Sequence, residues 1–332
     1  MRLKKEGIVF SAIIAAIGII TASTNSDTFV HQVKNGESLS LVCIDYYGYY
    51  SKELGEAIKR DNPVIKDVNL IRAGSKLTLR KPQTTESTGS AKGKTAITDT
   101  LFVKKIAVTQ GVVTCVVGDV RIKRPGSDTF SKLTVNSILY PGDVIQTAAS
   151  GRAEIVINRE SVVRLNEKTE MTLETLRDTG KDESKTRIGS PAGSIWTKMR
   201  KFKDKISRFE LELPTAIAAV HGTVYQTSVY SDSSSEVKVY SGEVAVRNAA
   251  RKPGSEVAGV HEISGPDEIA GPQEVSMDSW TQIVRSMQKI RIDKFGVPSK
   301  PLSFSVDSTD SWEKWNEERD KRIAEIFMEQ PR

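Results

Sequence analysis

Residues 31–81 read HQVKNGESLSLVCIDYYGYYSKELGEAIKRDNPVIKDVNLIRAGSKLTLRK, and they are the most informative stretch of the chain. A strand-forming start leads into a Gly-Glu-Ser turn. Ser38 and Ser51 each precede apolar residues at helical spacing, so each predicts the start of a short helix. Pro63 disfavours helical backbone at the residue before it and ends the second helix. Residues 76–80 alternate in polarity as a closing strand.

This unit, at residues 29–81, resembles the LysM module, a small βααβ domain that recognises N-acetylglucosamine-containing glycans such as peptidoglycan. The phrases that match best are Val33-x-x-Gly36-Glu37-Ser38-Leu39, Tyr46-Tyr47-Gly48, Asn62 and Asn69-Leu70-Ile71-x-x-Gly74. Glu37 stands where the family often has Asp, a change that keeps the carboxylate. A chain that carries such a module is expected to contact a cell wall.

The resemblance implies a shallow glycan-binding groove between the strand-to-helix turn and the loop before the last strand. One wall would be formed by Gly36, Glu37, Ser38 and Leu39, and the other by Asn62, Pro63, Asn69, Leu70 and Ile71. Backbone donors and acceptors in such a groove pair with acetamido groups, while an apolar side chain packs on the sugar face. The alternative is that these residues serve as turn and cap positions of a small domain.

The amino terminus has the pattern of an export signal. Arg2, Lys4 and Lys5 precede an apolar run at residues 7–22, and polar residues follow it. The run is shorter than the roughly twenty residues that a bilayer-spanning helix needs. Residues 1–26 are therefore expected to act as a cleaved signal peptide or as an inner-membrane anchor. Either role places the rest of the chain in the periplasm or cell envelope.

Composition narrows the class of partner. The 332 residues carry 48 Lys and Arg against 42 Asp and Glu, a formal net charge of +6. This is a mild excess, and no nucleic-acid partner is expected. Cys43 and Cys115 lie in different predicted domains, so both should be unpaired thiols. The length fits two domains with appended segments.

Residues 82–101 separate the first predicted domain from the second. They are rich in Thr, Ser, Lys and Gly and nearly free of large apolar side chains. Such a stretch buries too little surface to offset the entropy that is lost on ordering. It is predicted to be a flexible linker.

From residue 102 to about 247 the pattern changes to short β-branched runs separated by tight turns. The turn phrases include Gly118-Asp119, Pro141-Gly142-Asp143 and Ser150-Gly151. The runs between them alternate in polarity, with almost no helical periodicity. Turn signals at this spacing predict an all-β domain.

This second region resembles the FecR domain. The matching phrases are Gly111-Val112-Val113, Val116-x-Gly118-Asp119-Val120, Pro141-Gly142-Asp143-Val144-Ile145-x-Thr147, Gly193-x-Ile195-Trp196 and Val239-Tyr240-Ser241-Gly242-Glu243-Val244. The resemblance implies a rolled or solenoid-like stack of short strands. Founding members pass an iron-uptake signal to a sigma factor through a cytoplasmic amino-terminal domain. Here about six residues precede the apolar run, too few to fold as a domain, so an exported scaffold for a protein partner is expected instead.

One loop of this region is strongly basic. It contains Lys198, Arg200, Lys201, Lys203, Lys205 and Arg208, with Asp204 as the counter-charge. Such a patch would suit an anionic polymer, a lipid head group or an acidic protein partner. The alternative is a solvated loop that joins two strands.

The carboxyl-terminal part is predicted to contain a Pro- and Gly-rich connector at 248–276 and a helical segment at 277–332. A first amphipathic helix should begin near Asp278, with an apolar stripe formed by Trp280, Ile283, Val284, Met287 and Ile290. A second should begin after Asp310 and carry Trp312, Trp315, Ile323 and Ile326. Docking on the β domain or on the other helix is expected. The alternative is a partner-binding groove or a dimer contact.

The sequence does not predict an enzyme. His31, His221 and His261 are spread over three regions, and none has a Cys, Asp or Glu at metal-ligand spacing. Common hydrolase and nucleotide-binding phrases are absent from the sequence. No cofactor and no metal are therefore expected.

Together these patterns predict a multidomain α+β chain with a LysM-like βααβ module, an all-β FecR-like domain and two C-terminal amphipathic helices. The expected function is that of a non-catalytic exported envelope protein. It would bind peptidoglycan through the module and present the β domain to an envelope protein partner. One alternative is an envelope sensor or signal-relay protein related to FecR-type regulators. A second is a peptidoglycan hydrolase with an unrecognised acid/base pair.

Overall fold

A computed structural model describes residues 27–82, 99–102, 109–159, 161–178, 184–200, 208–220, 222–249 and 280–328. These ranges contain nineteen β-strands and three α-helices. The predicted leader at 1–26 lies outside them, as do most of the predicted linker and connector. Within the described ranges, none of the helices has the length and apolar character that crossing a bilayer requires.

Residues 28–80, which we call the amino-terminal module, fold in the order β1 (Thr28–Gln32), α1 (Leu39–Tyr47), α2 (Lys52–Asp61) and β2 (Lys76–Arg80). The two strands pair antiparallel. Ser38 Oγ accepts a hydrogen bond from Leu41 N (3.2 Å), and this bond caps α1. Ser51 Oγ accepts one from Leu54 N (3.1 Å) and caps α2 in the same way.

The β domain is a roll of short strands in two layers. The first layer contains β3 (Gly111–Val117), β6 (Ile138–Leu139), β8 (Arg152–Ile157), β9 (Ser161–Leu165), β14 (Val224–Val229), β15 (Ser235–Ser241), β18 (Gln288–Ile292) and β19 (Leu302–Ser303). The second contains β4 (Val120–Lys123), β5 (Ser131–Lys132), β7 (Val144–Thr147), β10 (Glu170–Asp178), β12 (Arg208–Glu212), β13 (Ala216–Val220), β16 (Glu243–Asn248) and β17 (Thr281–Arg285). Apolar side chains of both layers share one core. The all-β prediction for this domain is confirmed.

The strand β11 (Ser184–Met199) belongs to both layers. Its first half pairs with β10 and β12, and its second half pairs with β9 and β14. The change of layer occurs at Gly193, where φ is +86°. A Cβ atom at this position would lie 2.4 Å from Thr169 Cα, so both the backbone conformation and the close approach require glycine.

Residues 281–292, predicted to be helical, form the β17–β18 hairpin instead. Its turn is at Met287, where φ is +60°. Val284 and Ile290 are fully buried, and such branched side chains fit a pleated surface at least as well as a helical stripe. β17 pairs with β16 and β18 pairs with β15, so the hairpin extends both layers. The β domain therefore continues beyond the predicted boundary at 247.

The carboxyl-terminal part forms one α-helix in the described residues, α3 (Ser311–Met328), where the sequence predicted two. Trp312 and Ile323 are buried, and Asn316 between them is also buried. Trp312 stacks on Trp315 with a centroid distance of 5.3 Å. The helix thus packs one side against the rest of the molecule.

The amino-terminal module and the β domain share a second apolar core. Val112, Val156 and Val162 of the β domain pack in the same cluster as the buried side chains of α1 and α2. Ile323 of α3 belongs to this cluster as well. Because three parts of the chain supply side chains to one cluster, the module is a docked element of the fold.

The boundary between the two predicted domains also differs from the sequence prediction. A short 3-10 helix at Asp99–Phe102 ends on Phe102, which is fully buried. The Phe102 ring packs edge-on against Tyr47 of α1, with centroids 5.5 Å apart. Phe102 therefore contributes to the core of the module, although the sequence placed it at the start of the β domain.

Candidate functional site

Glu37, in the first predicted wall, is bonded inside the module. Its Oε2 accepts a hydrogen bond from Lys34 N (2.7 Å) and lies 2.9 Å from His31 Nε2. Burial raises the pKa of Glu37, but the hydrogen bonds from His31 and from Lys34 N outweigh that effect. The pKa of Glu37 therefore lies below its ordinary value, and the ionised carboxylate stabilises the turn through these two contacts.

The other residues of this wall differ in exposure. Gly36 is exposed and has a φ of +74°. Ser38 and Leu39 are buried, and Leu39 belongs to the core that the module shares with the β domain. The Ser38 hydroxyl caps α1 and lies 3.0 Å from Ser40 Oγ. Of the four wall residues, Gly36 is thus the exposed one, and the guanidinium groups of Arg319 and Arg322 lie against it.

The second predicted wall is more accessible, except at Asn62. Asn62 Nδ2 donates to Ile58 O (2.8 Å) and to Thr78 O (2.8 Å), and its Oδ1 accepts from Thr78 N (2.7 Å). These bonds use the whole carboxamide to join α2 to β2. The exposed residues of this wall are Pro63, Asn69 and Leu70, and Ile71 is half-buried.

A side chain of the β domain lies between the two predicted walls. Asn136 Oδ1 accepts a hydrogen bond from Ser40 N (2.9 Å), at the start of α1. Asn136 Nδ2 donates to Val68 O (2.8 Å) and to Asn69 Oδ1 (3.1 Å), next to the second wall. We call these three bonds the amide contact. It joins the module to the turn between β5 and β6.

The sequence analysis missed Asn136. The residue has a φ of +66°, which Asn tolerates better than most residues, and its own N–H donates to Val113 O (2.8 Å). The Thr-Val-Asn-Ser phrase around it could have indicated a turn. Its partner Ser40 is 96 residues away in sequence, and no local pattern indicates that distance.

A polar cleft of about 710 Å³ opens beside the amide contact. It is lined by the first turn of α2 and the loop at residues 68–69 on one side. Residues 134–138 of the β domain line the other, together with Arg124 and Tyr140. Tyr140 is 58% exposed. Of the exposed residues in the predicted groove, Asn69 lines this cleft between the module and the β domain.

A second contact ties α3 to both domains through buried charges. Glu154 on β8 accepts hydrogen bonds from Arg164 Nε (2.8 Å) and from Arg319 Nε (3.0 Å) at the same carboxylate oxygen. Arg319 Nη2 bonds the other oxygen, which also accepts from Thr114 Oγ1 (2.8 Å). Arg319 Nη1 reaches the module and donates to Gly36 O (2.8 Å). We call Glu154, Arg164 and Arg319 the Glu154 cluster.

In this cluster, burial and the oppositely charged neighbours shift the pKa values of Glu154 and Arg319 in opposite directions. Burial raises the pKa of Glu154, but the guanidinium groups of Arg319 and Arg164 lower it by more than burial raises it. The resulting pKa is about 2. Burial lowers the pKa of Arg319, while the Glu154 carboxylate raises it above the ordinary value. Glu154 and Arg319 are therefore both charged at neutral pH.

The predicted basic patch is divided by the structure. Lys198 lies at the end of β11 and pairs with Asp320 of α3 (3.2 Å). Asp320 also lies 2.7 Å from Arg164 Nη1, so Lys198 belongs to the attachment of α3. Arg200 and Arg208 are exposed, whereas Lys201, Lys203 and Lys205 lie outside the described residues.

A cavity of about 610 Å³ lies between α3 and the first layer of the β domain. Trp196 and Tyr240 line it, with ring centroids 4.4 Å apart. Tyr240 Oη donates to Glu313 Oε1 of α3 (2.6 Å). Burial and this hydrogen bond both raise the pKa of Tyr240. The cavity is thus closed on one side by a further polar contact of α3.

The described ranges contain no cluster of three or more His, Cys, Asp or Glu side chains that could hold a metal ion. His31 is placed within hydrogen-bonding distance of Tyr46 Oη (3.1 Å) as well as Glu37. His221 and His261 lie outside the described residues. Cys43 and Cys115 are free thiols, and Cys43 is buried.

Comparison with solved structures gives distant likenesses. Two crystal structures from Parabacteroides distasonis, each described as a candidate anti-sigma factor, align with 50% of this chain at 16% and 15% identity and a TM-score of 0.33. The alignment covers 61% of those chains, which is less than two thirds of their length. No curated protein matches the chain.

Comparison with protein families gives a direct match. Residues 143–245 match the family described as FecR protein, and they cover the strands from the start of β7 into β16. The prediction that the chain is not an enzyme is confirmed by this match. Residues 143–245 form a FecR domain.

Proposed function

We propose that this protein is a non-enzymatic relay protein of the cell envelope. In this proposal the FecR domain contacts an envelope protein partner, and the amino-terminal module is the part that senses a ligand. The FecR match supports the class of function. The observation that carries the relay is Arg319, which bonds Glu154 of the FecR domain and the Gly36 carbonyl of the module.

The physical basis of the relay is the burial of these charges. Glu154 and Arg164 are fully buried, and Arg319 is nearly so. Removing one partner from a buried ion pair typically costs about 3–5 kcal/mol, because it leaves a charge without compensation. A displacement of the module at Gly36 therefore acts on α3 and on β8 together and is transmitted to the FecR domain.

The proposed location is the periplasmic side of the cell envelope. The basic start and the apolar run at residues 7–22 support export, with attachment to the inner membrane if the run is retained. An envelope protein partner fits this location.

Crosslinking in intact envelopes tests the relay. The full-length protein should co-purify with an envelope protein, and loss of the chain should change the output of that partner. The Arg319→Met variant should still crosslink to the partner but should uncouple its output from the ligand. An output that is identical in the wild type, the deletion and the variant would contradict the proposal.

A second candidate function is binding of peptidoglycan by the module. The LysM-like phrases and the strand–helix–helix–strand order support it, as do the exposed Leu70 and the exposed Asn69, which lines a polar cleft. Retention of the full-length protein on purified sacculi tests it. The test variant is Leu70→Asp, which places a charge on the exposed wall and should be retained less than the wild type. Equal retention of wild type and variant would argue against a glycan site at this wall.

A further inference from the structure

We propose that Asn136 is a built-in competitor that occupies an amide-binding slot of the module. The slot lies between Ser40 N on one side and Val68 O on the other. In this inference, an N-acetylated sugar and Asn136 of the β domain compete for the same slot, so ligand binding and docking of the module exclude each other. The inference rests on the glycan-binding function proposed for the module.

The chemistry of the slot indicates the class of ligand. Ser40 N is a hydrogen-bond donor, and Val68 O is an acceptor on the facing loop. A carboxamide satisfies both, because it presents a carbonyl oxygen and an N–H group on neighbouring atoms. The acetamido group of an N-acetylated sugar carries the same pair. A carboxylate does not fit, because it would place an oxygen against the Val68 carbonyl.

Burial makes the occupancy exclusive. Asn136 is 5% exposed and Ser40 is fully buried. Ser40 Oγ also donates to Val113 O (3.4 Å) in β3, so the backbone and the side chain of Ser40 are both engaged by the β domain. A ligand that needs Ser40 N has to displace Asn136, because a buried N–H cannot accommodate a second acceptor there.

The backbone around Asn136 presents the side chain in a fixed direction. Its φ of +66° is the left-handed conformation, and the N–H of Asn136 is held by Val113 O. Ser137 N donates to Thr134 O (3.3 Å) and closes the turn. The carboxamide is thus preorganised for the slot, which lowers the entropy lost on docking.

Displacement of Asn136 would have a consequence in the β domain. Val112, Val156 and Val162 are buried in the core that the module shares with the β domain. Undocking of the module would expose these three valines as an apolar strip on β3, β8 and β9. Such a strip is a surface that a protein partner can recognise.

The experiment compares the full-length wild type with Asn136→Gly. Glycine keeps the positive φ and removes the carboxamide. The probe is the tetramer of N-acetylglucosamine, titrated by calorimetry. We expect Asn136→Gly to bind at least about tenfold more tightly, because the apparent affinity of the wild type is reduced by the closed fraction. Ser233→Gly is the matched control, since Ser233 has a φ of +64° in the β14–β15 turn and should bind as the wild type does.

A second measurement follows docking directly. Hydrogen exchange of the Ser40 amide and of residues 111–117 should be faster in Asn136→Gly than in the wild type. In the wild type, saturating tetramer should accelerate exchange at 111–117. Asn136→Asp provides a variant that keeps the size of the side chain and should also bind more tightly. If a variant does not fold, the exchange response of the wild type to the tetramer decides the question.

The outcomes separate the inference from the function on which it rests. Equal binding by the wild type and by Asn136→Gly would overturn the competition and leave glycan binding in place. Binding to the wild type without faster exchange at 111–117 would also overturn it. No binding by either protein, with faster exchange of the Ser40 amide in the variant, would overturn glycan binding and the inference together.

Discussion

The amide contact and the Glu154 cluster both tie the amino-terminal module to the rest of the chain, but their chemistry differs. The amide contact is neutral, and its bonds to Ser40 N and to Val68 O have equivalents in a ligand that carries an acetamido group. The Glu154 cluster is ionic and fully enclosed, so none of its members can lose its partners without leaving a buried charge. A ligand can therefore replace the amide contact, whereas the bonds of the Glu154 cluster should remain in place.

This difference gives the two contacts separate roles in the proposed relay. When the amide contact opens, Arg319 still holds the Gly36 carbonyl. The module then remains attached at one turn while its slot and the facing valines become accessible. The following predictions test this division, from the largest expected effect to the smallest.

Glu154→Gln should have the largest effect on stability. The substitution leaves Arg319 buried without a carboxylate and leaves Arg164 with Asp320 as its acidic partner, which we expect to lower the free energy of unfolding by about 3–5 kcal/mol. Denaturant unfolding measures this change. Glu317→Gln is the control, because Glu317 pairs with Lys321 on the exposed side of α3 and should leave the unfolding curve unchanged. A loss at Glu154 no larger than that of the control would remove the basis for calling this contact permanent.

Acid should weaken the same cluster. The pKa of Glu154 is about 2 in the folded protein, below its ordinary value of 4.5. A lowered pKa stabilises the folded state above pH 4.5, and this contribution is lost as the pH falls from 4.5 towards 2. We expect a loss on the order of 3 kcal/mol. Denaturant unfolding of the wild type and of Glu154→Gln at pH 6, 4 and 2.5 measures this contribution. The difference in the free energy of unfolding between the two proteins should become smaller as the pH falls. A difference that stays constant would be inconsistent with an ionised Glu154.

Arg319→Met should have a smaller effect than Glu154→Gln, because Arg164 still neutralises the carboxylate. We expect a loss of about 2–3 kcal/mol, the range for unmade hydrogen bonds to a charged group. Hydrogen exchange at residues 34–38 should become faster, because the Gly36 carbonyl loses its donor. Arg319→Lys should be intermediate, since an ammonium group lacks the planar fork that reaches both Glu154 and Gly36. Unchanged exchange at 34–38 in the methionine variant would show that α3 does not hold the module.

Asn136→Gly should have the smallest effect on stability, about 1–2 kcal/mol, because it removes neutral hydrogen bonds at the edge of the shared core. Denaturant unfolding compares it with Glu154→Gln. A loss equal to that of Glu154→Gln would remove the distinction between an exchangeable and a permanent contact.

Local features of the fold could be predicted from the sequence. Ser38 and Ser51 were identified as helix caps because the serine hydroxyl and the first turn of a helix are neighbours in sequence. The turns and alternating runs of the second domain indicate β structure because these signals also come from residues that are neighbours in sequence. The segment at 281–292 was predicted wrongly, since Val284 and Ile290 satisfy a helical stripe and a strand pattern equally well. Pairing with β15 and β16 decided the outcome there.

The contacts between domains could not be predicted in this way. Lys198 was placed in a basic loop, but its charge is compensated by Asp320, 122 positions further along the chain. Asn136 reads as an ordinary turn residue until Ser40 is brought next to it. Both cases depend on the docking of three separate segments, and one sequence without related chains carries no signal for such pairs.

The long strand β11 connects the two layers of the β domain and can transmit force between them. Its 16 residues extend over about 50 Å at the usual rise per residue. The end of this strand at Lys198 is held by α3, while its opposite end lies in the other layer beside β10 and β12. Force applied to α3 would therefore travel along a continuous backbone from one layer of the roll to β10 and β12 in the other.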